Sequence, residues 1–443
     1  MFECKTKKDV LKAVKDHKVS FIQYWFTDVL GMQKIFSTTP SELEEGLEEG
    51  MGFDGSSIQG FARIEESDMI AMADPTTFQI IPWRPTDRPV ARVICDILNP
   101  DGTPYEGDPR YVLKRELKKI AAQGYTMYVG PELEFFYFAN DKATDVLDQG
   151  GYFDGLPVDR ATDLRRQTIF AMQDLGIRVE YSHHEVAPSQ HEIDLRYDDA
   201  MKMADKVMTY RTAVKEIARQ NGVYATFMPK PIFGQNGSGM HTHQSLFKGS
   251  KNAFFDGKDK YHLSKMAKNY IAGLMAHAPE ITAVCNQWVN SYKRLVSGYE
   301  APIHVSWARN NRSALVRVPV VKPGKGESTR IEYRSPDSAC NPYLAFAVIL
   351  AAGLQGIEQG YELPPETDAN LFDLSAEELS GKGILHLPGS LNEALVLMES
   401  SELLATTLGD HVFEWFIRNK RAEWAGYKAH VSQFELDRYL PLL

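Results

Sequence analysis

Cysteine is scarce in this chain: Cys4, Cys95, Cys285 and Cys340 are the only four, they lie far apart, and no CxxC pair occurs. That spacing excludes a disulfide framework and a zinc ribbon, and a reducing, cytoplasmic setting is expected. Long apolar runs are missing too. The longest, LAFAVILAAGL at 344–354, falls short of the roughly 20 residues that span a bilayer and reads as a buried helix, so no membrane partner is expected. The opening MFECKTKKDVLKAVKDHK is a polar helix pattern without the apolar stretch of a secretion signal. Excess positive charge is absent: the formal net charge is −10. No nucleic acid is therefore expected as a direct partner, because phosphate backbones call for a basic face. A small anion held by a local arginine cluster remains compatible. No internal repeat or low-complexity segment stands out.

What is present is an ordinary globular mixture, 43% hydrophobic and 24% charged over 443 residues. At roughly 150 residues per domain that length suggests two or three domains. Residues 6–18 predict a helix, and VSFIQYWFTDVLGMQKIFS a hairpin turning around Asp28 to Gly31. SELEEGLEEG is a short acidic helix closed by glycine, and RPVARVICDIL a strand. NPDGTPYEGDPR, residues 99–110, is dense in Pro, Gly and Asp and marks the domain boundary. Beyond it, PRYVLKRELKKIAAQG predicts a helix with Pro near its start and Gly after its end. A strand through Glu132 and Glu134 follows, then a helix over about 161–175, a strand near 177–181 and a long helix in DDAMKMADKVMTYRTAVKEIARQNG. The end of the chain, through QFELDRYLPLL, is mostly helical. These patterns predict a small β-rich N-terminal domain and a large α/β one.

The stretch YVGPELEFFYF, residues 128–138, has the bulk of a buried strand yet carries Glu132 and Glu134 two apart, on one face. Burying like charges that close is costly without compensation. Three more strands repeat the pattern. HEIDLRY puts Glu192, Asp194 and Arg196 on one face, MHTHQSLF puts His241, His243 and Ser245 together, and TRIEYRS does so for Arg330, Glu332 and Arg334. An antiparallel sheet with one wet face accounts for any one of these strands alone. Two details point elsewhere: the shared faces hold Glu, His and Arg with almost no Lys or Thr, and GPELEFFYF carries aromatics on both sides. A strongly curved sheet with an ionised interior needs compensating cations. Glu with a single His suits Mg²⁺ or Mn²⁺ better than zinc, and Glu132 and Glu134 would then serve two neighbouring ions.

Glu185 lies on a loop just before the Glu192 strand. His183, His184 and His191 beside it fit no zinc template and are expected to be structural or supporting. The glycine-rich FGQNGSGMHTH lacks the GK[ST] of a Walker loop, and its place beside His241 suits close backbone approach to a substrate. Arg294, Arg312, Arg317, Arg330 and Arg334 supply opposite charge, and arginine grips carboxylate and phosphate in a bidentate manner. Two metals with several arginines describe phosphoryl transfer between anions.

The motifs FDGSSIQGF, GPELEFF, HHEVAPSQHEID, FMPKPIFGQNGSGMH, KRLVSGYEAP, NRSALVRVP and TRIEYRSPDSACNPYLA, in that order, resemble those of bacterial type I glutamine synthetases. The resemblance implies an α+β fold: a β-grasp domain over residues 1–103 and a catalytic domain over 104–443, the latter a curved antiparallel sheet, or partial barrel, surrounded by helices. It implies ligation of ammonia to glutamate through γ-glutamyl phosphate, with ATP as co-substrate and two or more Mg²⁺ or Mn²⁺ per site. By motif, Glu134, Glu185 and Glu192 match the ligands of one ion, and Glu132, His241 and Glu332 those of the second. Asn236, Gly237, Arg294, Glu300, Arg312 and Arg334 match substrate positions, with Arg312 also taken as catalytic. Glu180, His243, Ser245, Arg317 and Arg330 match nucleotide contacts. Asp54 matches an aspartate that takes a proton from ammonium across a subunit interface, and Glu300 a flap glutamate that shuts water out. The implied assembly is a homododecamer of two hexameric rings, with the YLPLL tail docked on the opposite ring.

Some positions narrow the resemblance. NLFDL has Phe372 where adenylylated relatives carry a tyrosine, so that switch has no hydroxyl to use. Arg63, in GFARIEESDM, matches the shorter Gram-positive-type enzymes, in which this arginine takes part in feedback inhibition by glutamine and nitrogen-responsive repressors are partners. Ser297 stands where the flap more often has proline. Two other readings stand beside this one. A γ-glutamyl ligase for another amine is disfavoured by Asp54 and Glu300, which suit ammonium. A catalytically silent homologue is disfavoured by the presence of all six ligands.

Overall fold

The computed structural model describes residues 2–56, 58, 68–309, 311, 313–322, 324–367, 371, 374 and 376–443. Arg63, Arg312 and Phe372, singled out above, lie outside them. Helix α1 (Lys7–Asp16) begins at a capping box, Thr6 accepting from the Asp9 amide and Asp9 from the Thr6 amide. Strands β1 (Phe21–Thr27) and β2 (Gln33–Thr38) form the expected hairpin. It turns at Gly31, whose φ of +80° is a conformation that side chains resist. Helix α2 (Leu43–Glu48) and strands β3 (Met51–Asp54), β4 (Asp68–Ile80) and β5 (Val90–Leu98) complete a five-stranded β-grasp sheet, ordered β2-β1-β5-β4-β3. Only its β1–β5 pair is parallel. Val10, Leu47, Ile22, Tyr24 and Val93 close a core of its own beneath the two helices.

The larger body opens with α3 (Pro109–Ala121), capped by Asp108 with Pro in its first turn. It feeds β6 (Tyr125–Phe138), the strand of Glu132 and Glu134. There follow α4 (Thr162–Asp174), β7 (Val179–His184), β8 (Gln190–Leu195), β9 (Asp198–Asp199), α5 (Ala200–Gln220) and β10 (Tyr224–Thr226). Next come β11 (Met240–Lys248), β12 (Lys251–Asn252), α6 (Lys265–Cys285), α7 (Ser291–Arg294), β13 (Trp307–Ala308), β14 (Val316–Arg317) and β15 (Ile331–Tyr333). Helices α8 (Pro342–Gln359), α9 (Ala376–Gly381), α10 (Leu391–Glu399), α11 (Glu402–Leu408), α12 (Asp410–Ala429) and α13 (Gln433–Tyr439) end the chain.

The second sheet has ten strands, ordered β13-β14-β15-β11-β6-β8-β7, with β9 and β10 added to β6 and β12 to β11. It curls into a half-barrel with helices around it. The alternation of helix and strand along the sequence suggested α/β. The sheet is instead antiparallel in every pair but β13–β14, so the fold is α+β. LAFAVILAAGL is the buried helix expected of it. Helix α8 packs on α6 at backbone distance: a Cβ on Gly273 would meet the Ala352 carbonyl at 2.3 Å, and one on Gly356 the Asn269 carbonyl at 2.2 Å. No described helix is long and apolar enough to cross a membrane.

Two joints seat the small sheet on the large body. Asn341 caps α8 through the Tyr343 and Leu344 amides, and its Nδ2 donates to the Asp28 and Val29 carbonyls at 3.1 and 3.2 Å. Arg110 on α3 bridges Asp74 of β4 at 2.8 Å, Asp205 of α5 at 3.0 Å, and Asp96 of β5. Two boundaries differ from the sequence expectation. The strand expected near 177–181 runs from Val179 to His184, because Gly176, at φ +76°, still belongs to the preceding turn. Strand β8 ends at Leu195, one residue short of Arg196, whose amide still donates to the Arg178 carbonyl at 2.9 Å.

Candidate active site

Strand register assembles the polar faces into one surface. Strand β6 lies between β11 and β8, so Glu132 pairs with His241 on one side and Asp194 on the other. Glu134 pairs with Glu192, which pairs in turn with His183 of β7. On the other edge of β11, His243 pairs with Glu332 of β15, and Glu332 with Arg317 of β14. Residues scattered over half the sequence thus fall into two groups.

The first group centres on Glu132 and Glu332. His243 Nε2 lies 2.7 Å from Glu132 Oε1, while His241 Nδ1 is 3.6 Å from Glu132 and 3.9 Å from Glu332. Arg317 and Arg334 each donate to one oxygen of the fully buried Glu332. Burial opposes its ionisation, yet Arg334, His243 and His241 bring Glu332 down to about 2. Burial opposes Glu132 as well, and His243 and His241 hold it well below the carboxylate range. The same burial, with Arg334 nearby, lowers His241 to about 4, which leaves a neutral imidazole free to ligate.

The second group is almost all carboxylate. Glu185, Glu192 and His183 bring ligand atoms within 4.8 Å of one another, all buried. Glu134 stands beside them, Oε2 accepting from the Gly239 amide at 2.9 Å and from Gln190 Nε2 at 3.0 Å. Burial, then Glu185, raises Glu134 to about 8, against the pull of Arg294. Burial lifts Glu185 to about 7, with Glu300 and Asp194 adding to it. Burial and Asp194 push Glu192 well above the carboxylate range. Asp194 is 3% exposed and lies against Glu192 and Tyr181, and burial raises it to about 6.

The histidines behave as supports. His184 uses both ring nitrogens, on Asp148 Oδ1 at 2.9 Å and the Glu185 carbonyl at 2.7 Å. His191 Nδ1 accepts from Arg165 Nη1 at 2.8 Å, and Arg165 forks onto Asp159. The ligand atoms of Asp148, His184 and His191 lie close together, but with both His184 nitrogens engaged they describe a hydrogen-bonded brace beneath Glu185. His183 is the exception, since it joins the carboxylates directly.

Around the two groups lie the remaining predicted residues. Gly237 admits no side chain, because a Cβ would fall 2.3 Å from the Pro229 carbonyl, and its own carbonyl accepts from Gln190 at 3.0 Å. Asn236 beside it is half-buried. Arg294 is buried and donates to the Ser335 and Arg334 carbonyls at 2.8 and 3.2 Å. Glu300 is exposed, close enough to raise Glu185, and sits at φ +56°. Glu180, His243, Ser245 and Arg330 line a cavity of about 520 Å³ together with Tyr128 and Phe247. Arg317 stays outside it and fixes Glu332 instead. Asp54 lies at the end of β3, exposed, on the small sheet, its Oδ1 held by the Ser56 amide at 2.8 Å and hydroxyl at 2.6 Å.

Residues 106–439 match the family described as glutamine synthetase, catalytic domain, and residues 18–100 the one described as glutamine synthetase, beta-Grasp domain. The chain belongs to the glutamine synthetase family. Curated glutamine synthetases from Mycolicibacterium smegmatis and Methanosarcina mazei are 54% and 52% identical to it, over 98% and 100% of this chain and 99% of each relative. A cryo-EM structure of Plasmodium falciparum glutamine synthetase superposes with a TM-score of 0.88 at 26% identity, over 98% of both chains. A structure titled "GmaS/ADP complex-Conformation 1" gives 0.89 at 33% identity, over 97% of this chain and 99% of that one.

Membership in the glutamine synthetase family implies dependence on ATP and divalent metal ions. The residues fit such ions. The second group is a set of hard oxygen donors whose crowding and burial outweigh the pull of Arg294 beside Glu134. Three residues were not singled out by sequence reasoning. Asp194 was placed on the Glu192 face by alternation but given no task. His183 was taken as a support. Gln190 had no signal at all, because tying Glu134 to the Gly237 carbonyl depends on a contact between distant segments.

Proposed function

We propose that this chain ligates ammonia to L-glutamate using ATP, giving L-glutamine, ADP and phosphate through γ-glutamyl phosphate. The observation that carries this reading is the register. It gathers Glu132, His241 and Glu332 on one side and Glu134 and Glu192 on the other, beside a cavity large enough for a nucleotide. Glu132, His241 and Glu332 would hold one divalent ion, and Glu134, Glu185 and Glu192 another, with Mg²⁺ or Mn²⁺ suited to the oxygen-rich donors. Bound there, such ions neutralise charge on the phosphoryl oxygens.

The chain's own residues supply the rest. Arg294, Asn236 and the Gly237 backbone orient glutamate, and Arg334 with Arg312 steadies carboxylate and phosphate. Glu180, His243, Ser245 and Arg330 hold the nucleotide, and Arg317 keeps Glu332 in place for it. A γ-carboxylate oxygen attacks the terminal phosphorus and ADP leaves. Ammonia then attacks the acyl carbon, phosphate departs, and the proton shed by ammonium passes to Asp54. Glu300 closes over the intermediate and keeps out the water that would hydrolyse it.

Asp54 sits on the small sheet, which supports a site completed by a second copy, and we read the assembly as a homododecamer of two hexameric rings. The exposed apolar tail, Phe434, Leu436, Tyr439, Leu440, Leu442 and Leu443, supports docking on another copy. We place the domain boundary at 103/104, the protein in the cytoplasm, glutamine feedback at Arg63, and a nitrogen-responsive repressor among its partners. The test is phosphate release from ATP with Mg²⁺ or Mn²⁺. Release that needs both glutamate and ammonium, with glutamine as product, is the expected result. Release only with a polyamine would transfer the chain to a different ligase, and none at all would leave a silent homologue.

A further inference from the structure

A cavity of about 1240 Å³ lies between the small sheet and the β7–α5 side of the large body. It is separate from the nucleotide cavity but shares a wall with it: Arg196 lines both, and Glu180, two residues after Arg178, lines the nucleotide side. Most of its acids are already paired. Asp74 and Asp205 bind Arg110 at 2.8 and 3.0 Å, Asp199 binds Lys202 at 2.8 Å, and Asp198 binds Lys206.

Three arginines are left over. Arg178 and Arg196 occupy the position just beyond Val179 and Leu195 in the β7–β8 register, and the Arg196 amide donates to the Arg178 carbonyl at 2.9 Å. Like charges directly opposite across an antiparallel pair repel, yet among the described residues no carboxylate forms an ion pair with either. Arg92 lies at the buried floor, 5% exposed. It donates to the Thr77 carbonyl at 2.6 Å and the Thr209 hydroxyl at 3.5 Å, lies 5.4 Å over the Trp25 ring, and among the described residues no acid forms an ion pair with it. The first turn of α5, at Met201 and Lys202, adds the positive end of a 21-residue helix to the same wall.

We infer that this cavity binds a small molecule bearing phosphate or carboxylate groups, gripped between Arg178 and Arg196 with Arg92 beneath. Guanidinium forks match both oxyanions, and an anion between the two opposed arginines turns their repulsion into a clamp. Because Arg196 belongs to both cavities, an occupant here is felt at the nucleotide side.

The test is calorimetric titration of the intact, assembled protein in EDTA with inorganic pyrophosphate and, separately, with citrate. Saturable binding of one probe is expected, and which probe binds separates the phosphate from the carboxylate source. Arg178→Ala, at an exposed position outside the reaction machinery, is expected to weaken binding at least tenfold, and Arg92→Met likewise. Arg330→Ala, in the nucleotide cavity, should leave it unchanged. Absence of saturable binding, wild-type binding by Arg178→Ala, or loss in Arg330→Ala instead overturns the assignment. The bound probe should also shift the KM for ATP at least twofold in the wild type and not in Arg178→Ala; equal shifts in both would break the link between the cavities.

Discussion

The two halves of the acidic surface are built on opposite electrostatic terms. Glu332 and Glu132 sit among Arg317, Arg334, His241 and His243, so their charge is answered within the chain. Glu134, Glu185, Glu192 and Asp194 are buried as Glu332 is, and Arg294 beside Glu134 does not outweigh that burial and their mutual repulsion. Burial thus opposes charge in both halves, and the neighbours decide the outcome. One half is a finished ionic network that folding itself stabilises. The other is crowded with negative charge and holds its acids partly as neutral carboxyls.

Charge-removing substitutions should separate the halves most sharply. Glu332→Gln and Glu192→Gln are each expected to lower turnover by about a thousandfold, the scale of a lost metal ligand. Their stabilities should diverge. Glu332→Gln strands buried Arg334 and should cost about 3 kcal/mol in metal-free protein, whereas Glu192→Gln relieves crowding and should raise the metal-free Tm. Equal losses on chemical unfolding in EDTA would erase the distinction.

Titration gives the next largest contrast. An unfolded glutamate ionises near 4.5, while folded Glu134 keeps its proton up to about 8. The folded chain binds more protons across that window, so the contribution of Glu134 is lost as pH rises from about 4.5 to about 8. Glu332 runs the other way: its folded value is about 2, so its contribution is complete above about 4.5 and lost as pH falls. Melting curves in EDTA should therefore fall between about pH 5.5 and 8.5, and Mg²⁺ or Mn²⁺ should stabilise most at the alkaline end, where the ligands are already deprotonated. A Tm in EDTA that climbs across this range would contradict the assignment.

Asp194→Asn is a finer probe. It should raise the metal-free Tm slightly and weaken Mn²⁺ binding about tenfold, the scale for a residue that tunes ligands from behind. Unaltered Mn²⁺ affinity by calorimetry would confine Asp194 to the fold. Smallest of all, Ser56→Ala removes the hydroxyl and loosens the loop that holds Asp54 below its ordinary range. A few-fold rise in the KM for ammonium with unchanged Tm is expected, and a change in Tm alone would deny Asp54 its part.

Much of this surface was legible because strand alternation is local. Glu132 with Glu134, and His241 with His243, follow from a two-residue period and little else. What alternation cannot supply is which strand lies beside which. The pairings of Glu132 with His241 and of Glu332 with His243 join segments about ninety residues or more apart, and only the folded register decides them. For the same reason His243 and Arg317 were given to the nucleotide alone, although one touches Glu132 and the other Glu332. The end of β8 was missed for a local reason, since nothing in HEIDLRY announces that the regular strand stops at Leu195. The division into a small β-rich domain and a large one was read from composition at 99–110, whereas the curved antiparallel sheet rests on the resemblance, since the helix–strand alternation alone suggested α/β.

Asn341 has a consequence for how this molecule can change over generations. One side chain both starts α8 and clasps the hairpin tip at Asp28 and Val29. A residue added to or deleted from that tip would shift its carbonyls off the clasp, so insertions that most surface loops absorb should be rejected here. The hairpin and the helix, more than three hundred residues apart, can vary in length only together, and a chimera that exchanges the small sheet between relatives has to carry its matching α8 start with it.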